Sequence, residues 1–325
     1  MRNPISRKSR LLLLAAGLLL IPDFSRAASS DMGTSWLKIP TSTRAAAMGG
    51  AYAAVADDVN ALEINPAGLA GIKESQITFQ HSFWAQDLSM EHLAYGQSLS
   101  KKSGLGFGVD YMNLGSVDKI LIGPSGPVGN GSYSPMALNV SGGFGTVLLD
   151  HLKVGATVKF LMQNIQTTSS ATAAIDGGLI YSIPRSGFSF AIVMNNLGGT
   201  LDTDSLPLQL TLGAAFKTII GKDKSVSKSA SSSSVPRNVL TLSTEGDLTL
   251  NDMGLSNYRV GAEYWYNQQI AAQVGYRFAP YGDLAGVRGF ACGVGFRLQK
   301  WEVSYALTTQ GDMGSTHQIS LMTRF

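Results

Sequence analysis

The sequence predicts an all-β protein: a transmembrane antiparallel β-barrel of about 14 strands with an N-terminal luminal helical plug. Three observations carry that expectation. Apolar residues alternate with small or polar ones at period two through most of the chain, which puts each set on one face of a strand. Charge is scarce, 14% of 325 residues, against about 25% in soluble domains. After the amino terminus no apolar run reaches the length of a membrane-spanning helix.

The first element is an expected cleavable signal peptide, residues 1–27. Arg7, Lys8 and Arg10 precede the apolar stretch Leu11 to Ile21, and Ser25-Arg26-Ala27 supplies small residues for cleavage after Ala27. The stretch is too short to span a bilayer, and no Cys follows it for lipid attachment. The formal charge of +3 includes five basic residues and one acidic residue of this segment. The remainder carries 20 basic and 21 acidic residues, so no basic excess attracts nucleic acid. One Cys excludes a disulfide framework and a Cys-based zinc site.

Residues 76–325 read as the barrel. The expected strand cores are 76–83, 91–99, 104–113, 135–144, 152–163, 174–182, 188–195, 208–217, 238–247, 258–266, 270–278, 290–298, 301–308 and 317–325. Each is near the roughly 9–11 residues that a tilted membrane strand needs. An even number returns both ends of a closed antiparallel sheet to one side. Asp110, Lys159, Asp176, Lys217, Glu245, Asp247, Arg259, Glu263, Arg277, Arg297, Glu302 and Arg324 all fall on the polar phase of their strands. A water-soluble sandwich would alternate similarly. Three features favour a membrane barrel. Phe79, Phe83, Tyr264, Tyr266, Tyr276 and Tyr305 sit on the apolar phase near strand ends, as interface girdles do. The polar phase is rich in Gly, Ser, Thr and Gln, and the chain ends on a strand closed by Phe325. His81 and His317 depart from the pattern on the apolar phase. Trp84 is expected as an interface anchor and Cys292 as a lipid-facing small hydrophobe. With the amino terminus in the periplasm, 115–133, 196–207 and 279–289 are external loops. The turns at 145–151, 183–187, 267–269 and 299–300 are periplasmic, and the Lys/Ser-rich connection 218–237, too long for that side, means either that two strands are miscounted or that it is a flexible inner-side insertion.

Residues 28–75 form the expected plug. Small residues dominate 33–72, so this segment can pack closely inside a barrel too wide for side chains alone to fill. Asn65-Pro66-Ala67-Gly68 is a turn signal, Pro fixing φ and Gly allowing positive φ. It redirects the chain into the first strand.

The motif Arg44-Ala-Ala-Ala-Met48-Gly49-Gly50-Ala51, then Asp57-Asp58, then Asn65-Pro66-Ala67-Gly68-Leu69, resembles the amino-terminal region of the FadL superfamily, more closely its PorV/PorQ family. The likeness continues at Gly261-Ala-Glu263-Tyr-Trp265, at Gly275-Tyr-Arg277 and from Gly314 to Phe325. The resemblance implies a fourteen-stranded barrel in a Gram-negative-type outer membrane with a luminal amino-terminal element. Within it the plug or gating candidates are Arg44, Met48, Gly49, Gly50, Asp57, Asp58, Asn65, Pro66, Ala67 and Gly68.

For Arg44 the expected role is an ion pair with a carboxylate of the wall, which pins the plug; contact with a passing ligand is the alternative. Asp57 and Asp58 read as a helix end or as Arg partners, since calcium-loop spacing does not follow them. The wall charges, six of each sign, suggest salt-bridge ladders across the lumen. No catalytic motif is present among the four His, so no enzyme activity and no cofactor are expected. The partners implied are outer-membrane lipid, secreted client proteins of a type IX-like secretion machinery, and hydrophobic small molecules. The family resemblance puts client reception first; FadL-type uptake of hydrophobic small molecules is the alternative, and a purely structural barrel the third.

Overall fold

The computed structural model describes residues 32–84, 88–123, 126–220, 238–250, 254–278, 288–310 and 314–325. The expected signal peptide and the Lys/Ser-rich stretch 221–237 lie outside the described residues.

The strands run in chain order as β1 (Gln76–Phe83), β2 (Ser89–Ser100), β3 (Ser103–Asn113), β4 (Val117–Gly123), β5 (Gly126–Tyr133), β6 (Met136–Leu149), β7 (Leu152–Ile165), β8 (Thr168–Ser182) and β9 (Phe188–Gly198). They continue as β10 (Thr200–Leu201), β11 (Asp204–Ser205), β12 (Gln209–Ile220), β13 (Asn238–Thr249), β14 (Gly254–Tyr266), β15 (Ile270–Phe278), β16 (Arg288–Leu298), β17 (Trp301–Gln310) and β18 (Ser315–Arg324). Fourteen of them close an antiparallel barrel in the order β1-β18-β17-β16-β15-β14-β13-β12-β9-β8-β7-β6-β3-β2. Closure is made by β1 on β18, Gln76 opposite Arg324 and Phe83 opposite His317. A closed sheet pairs every strand edge, which is what hydrocarbon demands. The short pairs β4–β5 and β10–β11 stand outside the ring.

The two faces of the wall are inverted relative to a water-soluble domain. Phe79, Phe107, Phe160 and Phe296 are about half exposed, whereas Gln80, Asp110, Thr157, Asp176 and Glu263 are buried. The greasy phase therefore points outward and the ionised phase inward, so the sandwich with a shared apolar middle is excluded. Among the described residues one charge breaks the rule. Glu91 lies on the outward phase, where its carboxylate pairs with His81 Nδ1 at 2.9 Å. His317 also faces out and bonds the Tyr305 hydroxyl at 2.7 Å.

Several lengths differ from the sequence reading. β6 runs to Leu149, so the turn expected at 145–151 shrinks to Asp150 and His151. β8 starts at Thr168 and spans 15 residues, against eight in β1, so the wall is taller around β6–β8. The loop expected at 115–133 is itself the β4–β5 hairpin. The luminal segment is far less helical than expected. Its α-helix is confined to Thr43–Ala47 and Ala61–Ile64, with 3-10 turns at Met32–Lys38 and Pro66–Gly71. The physical reason is local: Gly49 and Gly50, at φ of 67° and 89°, stop the first helix, and Pro66 follows the second. Runs this short need tertiary contacts to hold them.

Candidate functional site

Residues 33–72 lie against the inward phase of the wall, and the wall is shaped to admit them. A Cβ on Gly275 of β15 would fall 2.1 Å from the Met48 carbonyl carbon, and one on Gly155 of β7 only 2.3 Å from that of Pro66. No side chain fits such gaps. The backbone of the inner segment therefore touches the backbone of the strands, a use of glycine that strand interiors otherwise disfavour. Met48, Tyr52, Leu62 and Leu69 are fully buried and form one apolar cluster with Ala94, Val193 and Ala215 of the wall.

Polar contacts then fix the segment in register. Ser42 caps the Thr43–Ala47 helix by accepting from the Ala45 N–H. That helix presents Arg44 to β14, where its guanidinium grips Glu263 with both arms, Nε to Oε2 at 2.6 Å and Nη2 to Oε1 at 2.7 Å. The remaining arm donates to the Tyr52 hydroxyl at 2.8 Å and to Asp57 at 2.7 Å. Tyr52 in turn donates to Asp58 at 2.9 Å. The fork geometry suits Arg and not Lys. Glu245 of β13 accepts the N–H groups of Tyr52 and Ala53 at 2.9 and 2.8 Å and is neutralised by Arg259 of β14. Glu63 meets Lys159 of β7, Asn139 of β6 and the Ser141 hydroxyl. Burial opposes ionisation of Asp57, yet Arg44 and Lys217 outweigh it and hold the carboxyl well below the usual carboxylate range. For Asp58 burial wins over Arg44 and pushes the carboxyl up.

The sequence-predicted residues are thus brought to one structure. Arg44, Asp57 and Asp58 share one network. Met48 and Gly49 lie on Gly275, and Gly50 lies beside Arg259. The Asn65 side chain donates to the Ala53 carbonyl and accepts from the Ala67 N–H, so Asn65-Pro66-Ala67-Gly68 is pinned at both ends. The six-to-six charge balance does make some ladders, such as Arg297 and Arg324 on Glu302. Of the others, Lys159, Lys217, Glu245 and Glu263 meet the inner segment, whereas Asp110, Asp176, Asp247 and Arg259 bond to groups of the wall. Tyr52, Glu63 and Glu245 were not singled out as partners from the sequence. Their polar or aromatic type was visible, but which residue meets which depends on the register of strands nearly 200 residues away.

Above this packed zone, toward the long connections, the lumen opens. A cavity of about 720 Å³ is bounded by Trp36, Ile39 and Pro40 from the inner segment and by Trp84, Leu88, Met112 and Leu114 from the wall. Trp84, expected at the membrane interface, turns instead to this chamber. Lys38, Arg277, Gln163, Gln310, Gln318 and the hydroxyls of Ser35, Thr308 and Thr316 supply its polar points. Trp36 Nε1, Thr316 Oγ1 and Gln318 Oε1 are buried without a hydrogen-bond partner among the described residues. A smaller cavity of about 90 Å³ shares Trp36, Lys38, Ile39 and Pro40 with the chamber and reaches Asn195 and Asn196. There the β8–β9 register slips between Ile175 and Gly177, and Asn196 takes a φ of 61°.

With this geometry in view, comparison with known proteins is informative. The model of an uncharacterised protein family, UPF0164, matches residues 26–179. A UPF0164 protein of Treponema pallidum (strain Nichols) is 26% identical over 200 residues, which cover 57% of this chain and 60% of that relative. Among solved structures, the CymD monoaromatic hydrocarbon channel covers 87% of this chain and 97% of its own at a TM-score of 0.57 and 12% identity. The toluene transporter TodX of Pseudomonas putida gives 0.56 at 14% identity, covering 87% of this chain and 96% of its own. TbuX of Ralstonia pickettii gives 0.55 at 13%, covering 87% and 98%. The fold these channels share with the chain is a closed fourteen-stranded antiparallel barrel. At such identities the likeness is one of architecture.

Proposed function

We propose that this chain is an outer-membrane channel for hydrophobic small molecules. The apolar chamber at the long-connection end carries the reading. Its indole, Leu and Met walls favour an uncharged or largely apolar guest, and a few unpartnered polar atoms among them suit orientation of that guest. The luminal segment closes the barrel beneath the chamber. The hydrocarbon and toluene channels of the same fold support this use. The client-receiving role implied by the PorV/PorQ-like motif ranks second, because those motif residues pack the luminal segment against the wall and do not form an exposed receptor surface. Export by the 1–27 signal and periplasmic placement of the short turns belong to the same proposal.

The test is binding of a fluorescent apolar probe to the purified barrel in detergent, together with toluene entry into cells that display it. Trp36→Ala removes a large part of the chamber wall. It should weaken the probe roughly tenfold, about 1.4 kcal/mol, and slow entry, with barrel abundance unchanged. Equal binding and entry in the variant would defeat the chamber as the transport site. Stranding of exported proteins in a deletion strain that still takes up toluene normally would instead favour client reception.

A further inference from the structure

We propose that the short-turn mouth of the barrel is a docking surface for an acidic periplasmic protein. This rests on the orientation given above, not on the identity of the transported molecule. The observation is a concentration of cations at one end of a chain whose residues 28–325 carry 20 basic and 21 acidic groups in all. Lys153 near the start of β7 and Lys217 near the end of β12 both belong to the inward phase and come together at the mouth, with Lys73 joining from the chain just before β1. Lys217, Lys73 and the carboxylate of Asp57 all lie close enough to act on Lys153 through space. Lys217 reaches Asp57 at 3.5 Å, but that carboxylate is already engaged by Arg44 at 2.7 Å. Lys153 makes no ion pair among the described residues, although it lies beside Gly71 of the inner segment. Lys101, Lys102, Arg185 and Lys300, all exposed, extend the positive surface along the short turns. Glu74 and Asp150 are the exposed acids nearby.

Two features decide the occupant. The lysine trio faces into the lumen mouth, so lipid phosphates outside the wall do not reach it. The exposed rim cations Lys101, Lys102, Arg185 and Lys300 also stand on three separate turns, after β2, β8 and β16, a spread that one small anion does not cover. Charge complementarity over such a span speeds encounter and selects an acidic protein partner. Docking there would set that partner under the Asn65–Gly71 turn, which forms the floor of the lumen.

The experiment uses the full barrel in nanodiscs of zwitterionic phosphatidylcholine with fluorescent poly-L-glutamate as the probe. Binding should occur, should weaken at least tenfold between 50 and 200 mM salt, and should fall at least tenfold in a Lys73→Gln, Lys153→Gln, Lys217→Gln triple variant whose β-sheet circular dichroism is intact. Lys119→Gln, at the opposite end, should leave it unchanged. Should the triple variant misfold, the Lys101→Gln, Lys102→Gln pair at the rim, expected to lose about threefold, carries the test. Equal binding by the charge variants, or insensitivity to salt, overturns the proposal. So does a triple variant that binds poly-L-glutamate normally but no longer binds vesicles containing phosphatidylglycerol, which would assign the lysines to lipid. Apolar-probe binding at the other end reports separately on the channel reading.

Discussion

The upper and lower halves of the lumen are built on opposite principles. At the long-connection end Trp36, Leu88, Met112 and Leu114 line one side of a chamber of about 720 Å³ that Lys38, Arg277, Gln163 and Gln318 also border, and Trp36 Nε1, Thr316 Oγ1 and Gln318 Oε1 have no partner there among the described residues. At the short-turn end the space is filled, glycine backbone against inner-segment backbone, and stitched by Arg44–Glu263, Glu245–Tyr52 and Lys159–Glu63. The difference teaches a division of labour. Apolar surface that is not buried against protein is left where a guest can bury it. Charge is spent where the segment must be held in one place. A buried ion pair contributes little net stability compared with apolar packing, but it fixes register, because any shift leaves charges unpaired.

The sharpest way to break that contrast is at Arg44. Arg44→Ala leaves Glu263, Asp57 and Asp58 without their shared cation. The expected cost is about 3–5 kcal/mol, read as a lower denaturant midpoint in detergent. The same variant should raise ion conductance in planar bilayers, because the inner segment loses its anchor. Arg44→Lys restores charge without the fork and should recover only part of both. Chamber binding of the apolar probe should change far less than conductance. Parallel loss of both would mean that the halves are not separate devices. Next in size is Gly275→Ala. The new Cβ meets the Met48 backbone within 2.1 Å, so the segment must move, at a cost of about 1–3 kcal/mol. Gly177→Ala, on a glycine whose Cβ would have open space around it, is the matched control and should leave the denaturant midpoint close to wild type.

How much of this was legible beforehand differs between the two halves as well. The fourteen strands and their inward phase follow from period two, since register in one strand needs only its own neighbours. That is why Asp110, Lys159 and Glu263 fall inward as expected. Glu91 did not reveal itself as outward, because it stands at a strand start where alternation is short. That residues 33–72 are small enough for close approach to the wall was legible. Its helicity was not, since Gly49, Gly50 and Pro66 cut the segment below a self-supporting length. The pairing of Arg44 with a wall carboxylate was legible in kind, but the choice of Glu263 was not, because it rests on the closure of the whole ring. The chamber was the least legible. Trp36 and Trp84 are separated by the entire inner segment, and only its folded path brings both to one space.

The smallest expected effect concerns pH and separates two adjacent carboxylates. Asp57 is held below the usual range by Arg44 and Lys217. Its contribution is therefore fully present above the ordinary carboxylate value of about 4 and is lost only as pH falls through its lower folded value. Asp58 is raised by burial. Its ionised form costs the fold, so proton uptake as pH falls toward the ordinary range is favourable. Acidification from pH 7 to 5 should then leave the closed state as stable as before or slightly more so, with bilayer conductance flat or falling. Only well below the ordinary value of about 4, where Asp57 takes up its proton, is Arg44 released, and there conductance should rise. Asp58→Asn should flatten the upper part of this profile, and Asp57→Asn should abolish the rise at low pH. A wild-type barrel that opens steadily between pH 7 and 5 would show that the lower lumen is not held through Arg44, and that the contrast between a held half and an open half is wrongly drawn.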